Sequence, residues 1–425
     1  MTDTIFALSS GSPPAAIAVL RVSGSSAGIA LRKLSGIVPE ARRATAAKLC
    51  DGAGELLDRA LVLWLPGPGT ATGEDVAELH LHGGRAVISA IEAALAAMPG
   101  LRRAEPGEFT RRAFVNGKID LAEAEGLADL LVAETELQRR SAMAMADGAF
   151  SRQVEGWRQR LLMSSAQLEA ALDFSDEDDV AILPAGFALQ LELLRSELVI
   201  WLTRPRAEAL REGYRVVIAG PPNVGKSTLF NVLVESEAAI TTPIAGTTRD
   251  VLTRPVSLAG IPFLFADTAG LHDAVDDVVE AIGIERAMEA LDRADLVLWL
   301  GPEGQGPAGC WEVAAQCDRK DAVAKRTPRH RISAMTSFGI DALRVDLIAT
   351  AGAAMPKPGE AALNDRQHRL LANAAESLNA AGREDDPLLV AENLRLARIS
   401  FDSLLGRTTT EDMLDMLFGR FCIGK

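Results

Sequence analysis

The segment Gly220-Pro-Pro-Asn-Val-Gly225-Lys226-Ser227 lies between a strand-like run, Arg215–Ala219, and a helix-like run, Thr228–Val234. It matches the pattern G-x-x-x-x-G-K-[ST], which forms a phosphate-binding loop (P-loop) when it joins a strand to a helix. The glycines let backbone N–H groups wrap a phosphate, and the helix start adds about half a positive charge. Lys226 then reaches the outer phosphates and Ser227 offers an oxygen to Mg²⁺. The segment predicts a nucleotide-binding α/β domain.

Two downstream motifs add to this prediction. Asp267-Thr-Ala-Gly270 follows the apolar run Phe263–Ala266, and Gly246-Thr-Thr-Arg-Asp250 lies between it and the P-loop. An Asp at a strand end faces the Mg²⁺ of the P-loop, and a Thr completes the Mg²⁺ shell when a switch loop closes. Strand-like runs continue to alternate with helix-like segments through Leu296–Leu300. That alternation predicts a mostly parallel sheet.

Composition narrows the class of protein. The chain has 425 residues, 48% of them apolar and 24% charged, which indicates several folded domains and excludes wholesale disorder. Its 44 Lys and Arg against 58 Asp and Glu give a formal net charge of −14, which is unfavourable for an isolated nucleic-acid binder. The N-terminus does not resemble a signal peptide, and apolar runs are shorter than a membrane helix needs. With four scattered cysteines, these features predict a cytoplasmic protein without membrane contact.

Hydrophobic periodicity divides the chain into segments. In residues 1–117, short β-like runs and one helix-like run predict an α+β domain; the runs are Ile17–Val22, Leu61–Leu65, Val76–His82 and Ala86–Met98. Helical spacing in 118–212 and again in 355–425 predicts an all-α domain built from two chain segments. The P-loop domain, 213–354, is then an insertion in that helical domain. The predicted fold class is therefore multidomain, α/β plus α.

The motifs G-x-P-N-x-G-K-S, G-T-T-x-D and D-T-A-G resemble those of the TrmE-Era-EngA-YihA-Septin-like P-loop GTPases. Within that group the whole chain is similar to the MnmE (TrmE) family of tRNA-modification GTPases. The strings that carry this similarity are Thr72-Gly-Glu-Asp75, His82-Gly-Gly84, Pro106-Gly-Glu-Phe109, Arg112-Ala-Phe114 and Phe421-Cys-Ile-Gly-Lys425. The resemblance implies that 1–117 binds tetrahydrofolate and that 213–354 is a Ras-like G domain.

The resemblance also implies an activity. Such a protein is a K⁺-dependent GTPase that helps to add a carboxymethylaminomethyl or aminomethyl group to C5 of the wobble uridine of certain tRNAs, with a tetrahydrofolate derivative as one-carbon donor. It is expected to form a homodimer and to work with the FAD-binding partner MnmG (GidA), which would carry much of the tRNA binding. One alternative is a ribosome-assembly switch GTPase of the Era or Der type, and another is a folate-dependent methyltransferase with a regulatory G domain.

By the same resemblance, motif positions assign the site residues. The GTP contacts are Asn223, Val224, Gly225, Lys226, Ser227, Thr228, Thr242, Pro243, Ile244, Ala245, Gly246, Thr247, Asp267, Thr268, Ala269, Gly270, Asp318, Asp321, Ser333, Ala334 and Met335. Mg²⁺ is assigned to Ser227 and Thr248, and K⁺ to Asn223, Thr242, Ile244 and Thr247.

The catalytic assignments are Lys226 and Glu280, which would orient the attacking water; a helix first-turn acid is the other interpretation of Glu280. The residue after Gly270 is Leu271, whose apolar side chain cannot polarise water. Another source of positive charge is therefore expected at the transition state, and in this family that source is the K⁺ ion.

The base-reading motif is expected at Asp318-Arg-Lys-Asp321, where other GTPases have N-K-x-D. In this assignment Asp321 accepts from the N–H edge of guanine, Asp318 replaces Asn, and Arg319 replaces Lys. Ser333-Ala-Met335 would cap the base with a backbone N–H.

Folate binding is implied for Arg21, Glu78, Lys118 and Lys425. A carboxylate suits the donor edge of a pterin, and cations suit the anionic glutamate tail. Cys422 is interpreted as a small buried hydrophobe, with a reactive thiol as the alternative.

Overall fold

The structure is a computed structural model that describes residues 3–173, 186–235, 252–267, 289–320, 322–408, 410–419 and 421–424. The chain forms two compact units: Met1–Ala128 with Phe401–Lys425, and Asp129–Ser400. The boundaries predicted near residues 117, 212 and 354 stay predictions. In the described part of the chain, every helix is too short or too polar to cross a membrane.

Helices and strands with described bounds run through the whole chain. The helices are α1 Ala27–Ser35, α2 Arg85–Ala96, α3 Glu108–Val115, α4 Leu121–Leu131, α5 Glu136–Ala146, α6 Ala149–Asp173, α7 Phe187–Leu202, α8 Ala207–Glu212, α9 Lys226–Glu235, α10 Ile340–Ala354, α11 Asp365–Ala381, α12 Pro387–Leu404 and α13 Glu411–Phe418. The strands are β1 Thr4–Leu8, β2 Ile17–Ser23, β3 Thr45–Cys50, β4 Leu56–Leu65, β5 Val76–His82, β6 Leu101–Arg103, β7 Tyr214–Ala219, β8 Leu252–Leu258, β9 Ile261–Asp267, β10 Leu296–Trp299, β11 Trp311–Ala314 and β12 His330–Arg331.

The first unit is built on a six-stranded sheet of order β3-β4-β5-β2-β1-β6. Neighbouring strands are antiparallel except β1 and β6, which are parallel. Ala18, Leu20 and Val22 of β2 are buried in one core with residues of α1 and α2. Because side chains alternate along a strand, Arg21 lies on the opposite face, and Glu78 of β5 is its register partner. Two predicted folate residues therefore share one face.

A buried arginine on α3 connects this helix to the residue before β1 and to the loop before β5. Arg112 is 1% exposed, and its guanidinium donates to Glu74 (3.1 Å), Asp3 (3.0 Å) and Glu108 (3.0 Å). Arg102 pairs with Asp3 and Glu108 as well. Burial works to raise the pKa of Glu108, but hydrogen bonds from Arg102, the backbone and Arg112 outweigh it and hold that pKa below its usual value. The hydrogen bond from Arg102 lowers the pKa of Asp3.

The C-terminal segment packs on α3 within the same unit. The Phe418 ring lies 6.1 Å from that of Phe114 and 6.1 Å from that of Phe421. Gly107, at φ +69°, has no room for a side chain, because a Cβ there would overlap the backbone carbonyl of Phe418. The prediction that Cys422 is buried is wrong: Phe421 takes the buried position, and Cys422 is exposed.

The helical part of the second unit packs α7 against α6 and α11. The ring of Trp201 on α7 lies 5.3 Å from Phe150 and 5.8 Å from Trp157 on α6. Trp157 donates through Nε1 to Glu197 at 3.0 Å, which satisfies the buried indole. Helical spacing predicted helices here, and most residues at that spacing in this unit are buried: Leu161, Leu168, Leu191, Leu194, Leu198, Leu371, Ala374, Leu378, Leu394 and Ala397. Ser165, Leu172 and Trp201, at the same spacing, are half-buried.

The other six-stranded sheet has the order β12-β11-β10-β7-β9-β8. All pairs are parallel except β8 with β9, which is antiparallel. The predicted mostly parallel sheet is thus confirmed, and the predicted runs at Arg215–Ala219, Phe263–Ala266 and Leu296–Leu300 coincide with β7, β9 and β10 to within a residue or two. The carboxyl ends of β7, β9 and β10 meet at one edge of the sheet, as parallel strands require.

The connection from β10 to β11 is unusual for a parallel crossover. Residues 300–310, all of them described, contain no helix. Lys325, which is buried, donates to the carbonyl of Trp299 at 2.6 Å and pairs with Glu312 of β11. Gly301 lies between the Trp299 indole and Pro221 of the P-loop, so a Cβ at that position would overlap both. An indole and a buried ion pair therefore fill the end of the sheet beside the P-loop.

Candidate nucleotide-binding site

The P-loop has the backbone geometry that wraps a phosphate. It leaves the end of β7 at Ala219 and enters α9 at Lys226. Gly220 (φ +148°) and Gly225 (φ +95°) adopt conformations that glycine accepts readily, and Asn223 (φ +66°) is left-handed. A Cβ on Gly220 would lie 3.0 Å from the backbone N of Gly301. The loop can follow this path because glycines occupy its two tightest positions.

The side chain of Lys226 is buried against the P-loop. Its residue is 4% exposed, and Nζ donates to the carbonyls of Gly220 and Pro221, each at 2.9 Å. Those hydrogen bonds hold the ammonium against the first two residues of the loop. A cation at this position neutralises the outer phosphates of a bound nucleotide.

Two side chains with oxygen atoms suited to Mg²⁺ lie near the P-loop, one at the end of β9 and one at the start of α9. Asp267 ends β9, is 1% exposed, and lies opposite Ile218 of β7 in register. Ser227 is exposed in the first turn of α9. Mg²⁺ in such sites uses one or two protein oxygens together with substrate phosphates, and a hydroxyl with a carboxylate fits that requirement. Val224 is buried and Thr228 exposed beside them.

Several predicted residues lie outside the residues that the structure describes. They are Thr242, Pro243, Ile244, Ala245, Gly246, Thr247, Thr248, Thr268, Ala269, Gly270, Glu280, Asp321 and Lys425. Their assignments to GTP, Mg²⁺, K⁺, catalysis and folate stay predictions.

One side chain that contacts the P-loop was not predicted from the sequence. Gln316, at φ +55°, donates from Nε2 to the carbonyl of Asn223 at 3.3 Å. A Cβ on Gly225 would lie 3.2 Å from the same amide nitrogen. Gln316 is the second residue after β11. It precedes by two residues Asp318, at which the expected motif begins. The signal that could have found it is a polar residue placed directly after a buried strand.

The predicted base-capping residues follow β12. Ser333 is fully buried, and its hydroxyl accepts from the backbone N–H of Thr336 at 3.2 Å. Its own N–H donates to the carbonyl of Phe338 at 2.9 Å. Ala334 is half-buried, and Met335 is 80% exposed. Asp318 is also exposed, so this side of the P-loop presents a carboxylate and an apolar side chain to solvent.

In the first unit, two of the predicted folate residues pair with each other. Arg21 donates to Oε1 of Glu78 from Nε (3.0 Å) and Nη2 (2.8 Å). His80 lies 3.4 Å from the other carboxylate oxygen. Lys118 is exposed, and a Cβ on Gly73 would lie 2.8 Å from its Cε. A guanidinium and a carboxylate side by side fit a polar heterocycle with an anionic tail.

Comparisons with known proteins cover nearly the full length. A model of the GTP-binding protein TrmE N-terminus matches residues 4–118, and a model of the MnmE helical domain matches residues 121–422. The chain belongs to the MnmE family. An MnmE relative from Novosphingobium aromaticivorans, a tRNA modification GTPase by name, is 63% identical over 437 aligned positions, with both chains fully covered.

A second MnmE protein, the tRNA modification GTPase of Erythrobacter litoralis, is 63% identical over 423 positions, again with both chains fully covered. Among solved structures, Era in complex with MgGDPNP and nucleotides 1506–1542 of 16S ribosomal RNA matches 49% of this MnmE chain and 98% of its own. Its sequence identity is 19% and its TM-score 0.25.

Proposed function

We propose that this MnmE-family chain hydrolyses GTP as the GTPase component of a tRNA-modifying enzyme. The observation that carries the proposal is the P-loop: two positive-φ glycines, a buried lysine and a carboxylate at the adjoining strand end. In this proposal the backbone N–H groups of the loop bind the phosphates and Lys226 offsets their charge. Mg²⁺, when bound by Ser227, Asp267 and the phosphates, supplies further charge neutralisation.

The proposal includes K⁺ as a second cation. Leu271, in the position of a water-orienting glutamine, leaves the site without a polar group there. Asn223 supports a cation at the P-loop, because its side chain is exposed and its backbone is held left-handed beside Gly225. K⁺ would supply the positive charge that an arginine finger supplies elsewhere. Glu280 then has the role of orienting the attacking water.

The modification chemistry belongs to the first unit in this proposal. Arg21, Glu78, Lys118 and Lys425 would bind the tetrahydrofolate derivative that donates one carbon to C5 of a wobble uridine, as carboxymethylaminomethyl or aminomethyl. The paired Arg21 and Glu78 support it, since they offer an acceptor for a pterin edge and a cation for a carboxylate tail. A homodimer, the FAD-binding partner MnmG and a cytoplasmic tRNA substrate complete the proposal.

The test is GTP hydrolysis by the purified chain in KCl and in NaCl at equal ionic strength. We expect K⁺ to accelerate hydrolysis at least about tenfold, because a well-placed cation is worth much more than that in related enzymes. Asn223→Gly removes the side chain and tolerates φ +66°, so it should abolish the K⁺ effect. Asn393→Ala, in α12, should keep it. Equal rates in the two salts would overturn the K⁺ mechanism and favour a switch GTPase.

A further inference from the structure

The loop after β11 is tied to the P-loop side of the sheet at its beginning. Gln316 donates to the carbonyl of Asn223. The N–H of Cys317 donates to the carbonyl of Ile332 at 3.1 Å, and the N–H of Arg319 donates to the carbonyl of Gln316 at 2.8 Å. Residues 316–319 therefore form a closed turn, fixed on one side to the P-loop and on the other to the residue directly before Ser333.

The other end of the loop is fixed by Lys325. Its ammonium donates to the carbonyl of Trp299 at the end of β10 and pairs with Glu312 of β11. Arg331 adds a hydrogen bond to the carbonyl of Lys325 at 3.2 Å. Both ends of segment 316–325 are thus held against the carboxyl edge of the sheet, the edge at which a nucleotide binds in open α/β folds.

We infer that Asp318 is the carboxylate that reads the guanine base, and that Gln316 positions it. The inference rests on the proposed GTPase function and changes the register expected from sequence. The four residues that directly follow β11, Ala315–Asp318, carry Asp in fourth place, as N-K-x-D does. In this register Ala315 replaces the Asn and Gln316 replaces the Lys. Asp321 then lies beyond the motif.

Geometry and chemistry favour this register. Asp318 is exposed in the turn that Gln316 and Cys317 anchor, and it directly follows Cys317, whose N–H donates to the residue before Ser333. A carboxylate there accepts from both donors on the Watson–Crick edge of guanine, N1–H and the 2-amino group. A neutral amide at Gln316 still donates to the P-loop carbonyl, so the turn keeps its connection to the P-loop without a cation.

The experiment exchanges the hydrogen-bond polarity of the carboxylate. Asn donates where Asp accepts, so it pairs with the 2-oxo group of xanthine in place of the guanine amine. We would measure the Kd of fluorescently labelled GDP and XDP for the wild-type chain, Asp318→Asn and Asp321→Asn. Asp318→Asn should weaken GDP roughly 100-fold and bind XDP more tightly than GDP. Asp321→Asn should keep the wild-type preference.

A xanthine switch in Asp321→Asn with none in Asp318→Asn would overturn the inference and leave the proposed GTPase function standing. Failure of the wild-type chain to bind GDP would overturn both. The two outcomes are distinguishable because the first needs a functional wild-type reference.

Gln316 is tested by selectivity, since loss of stability alone would leave selectivity unchanged. IDP lacks the 2-amino group of GDP, so the Kd of IDP divided by the Kd of GDP reports how well the carboxylate is placed. Gln316→Ala should lower that ratio at least about fivefold, and Gln316→Lys should restore it because an ammonium can donate to the same carbonyl of Asn223. An unchanged ratio in Gln316→Ala would refute the positioning role.

Discussion

Replacing Arg112 with Met tests the buried ion network of the first unit. Met keeps an apolar stem but removes the guanidinium that contacts Asp3, Glu74 and Glu108. Breaking a buried pair by removing one partner costs about 3–5 kcal/mol. Asp3 and Glu108 keep Arg102, whereas Glu74 keeps a hydrogen bond from Ser23. We therefore expect a cost near the lower limit, about 3 kcal/mol, or about 6–12 °C in unfolding temperature for a unit of this size.

The same network gives the change a defined pH dependence. The folded-state pKa values of Asp3 and Glu108 are lowered from 3.8 and 4.5. Lowered pKa values stabilise the fold fully above the unfolded values, and this contribution is lost as the pH falls through the folded ones. The difference between wild type and Arg112→Met should therefore be largest at neutral pH and shrink as the pH falls below 3.8.

The assay is thermal unfolding of the full chain, with hydrogen exchange in β1 and α3 as the local measure. Arg103→Met is the matched control, because Arg103 is 67% exposed and pairs with Glu92 at 2.8 Å. A surface pair of this kind contributes at most about 1 kcal/mol. Equal unfolding temperatures for the two variants at pH 7, or a difference that grows on acidification, would refute the reasoning.

Two further changes probe single positions. Gly107→Ala adds a Cβ that overlaps the carbonyl of Phe418. It should destabilise the first unit by about 1–3 kcal/mol more than the control Gly36→Ala, which has a positive φ as well but open space around it. Equal denaturation midpoints for the two variants would contradict this. Asp267→Asn should raise the Mg²⁺ concentration for half-maximal GTP hydrolysis at least about tenfold, measured by Mg²⁺ titration, and an unchanged titration would remove Asp267 from the cation site.

Most of the fold around the P-loop could be predicted from the local sequence. The strand before Gly220 and the helix from Lys226 follow from apolar periodicity on either side of a glycine-rich loop, and the structure has them almost where predicted. The antiparallel strand β8 was not predicted, since its pairing with β9 depends on a neighbour and its own pattern is interrupted by Pro255. In the first unit, β1, β3 and β6 were not predicted either, because they are short or rich in Ala and Arg.

The loop after β11 contains a contact that its residue spacing did not predict. Asp318-Arg-Lys-Asp321 resembles N-K-x-D by composition, whereas the contact from Gln316 to Asn223 depends on where β11 ends and on a left-handed turn. Neither feature is visible in residue spacing. The burial of Lys325 was not predicted either, because a lysine in a loop is normally solvated, whereas here the carbonyl of Trp299 and the carboxylate of Glu312 bind its ammonium.

The contact of Gly301 with the Trp299 indole and Pro221 has a spectroscopic consequence. The chain has five tryptophans, and this indole is separated from the P-loop by a single glycine that has no side chain to shield it. Any movement of Pro221 on phosphate binding would alter the packing around the ring, and the emission of an indole depends on its surroundings. The emission of Trp299 is therefore the signal to follow in stopped-flow measurements of nucleotide binding, with the nucleotide unlabelled.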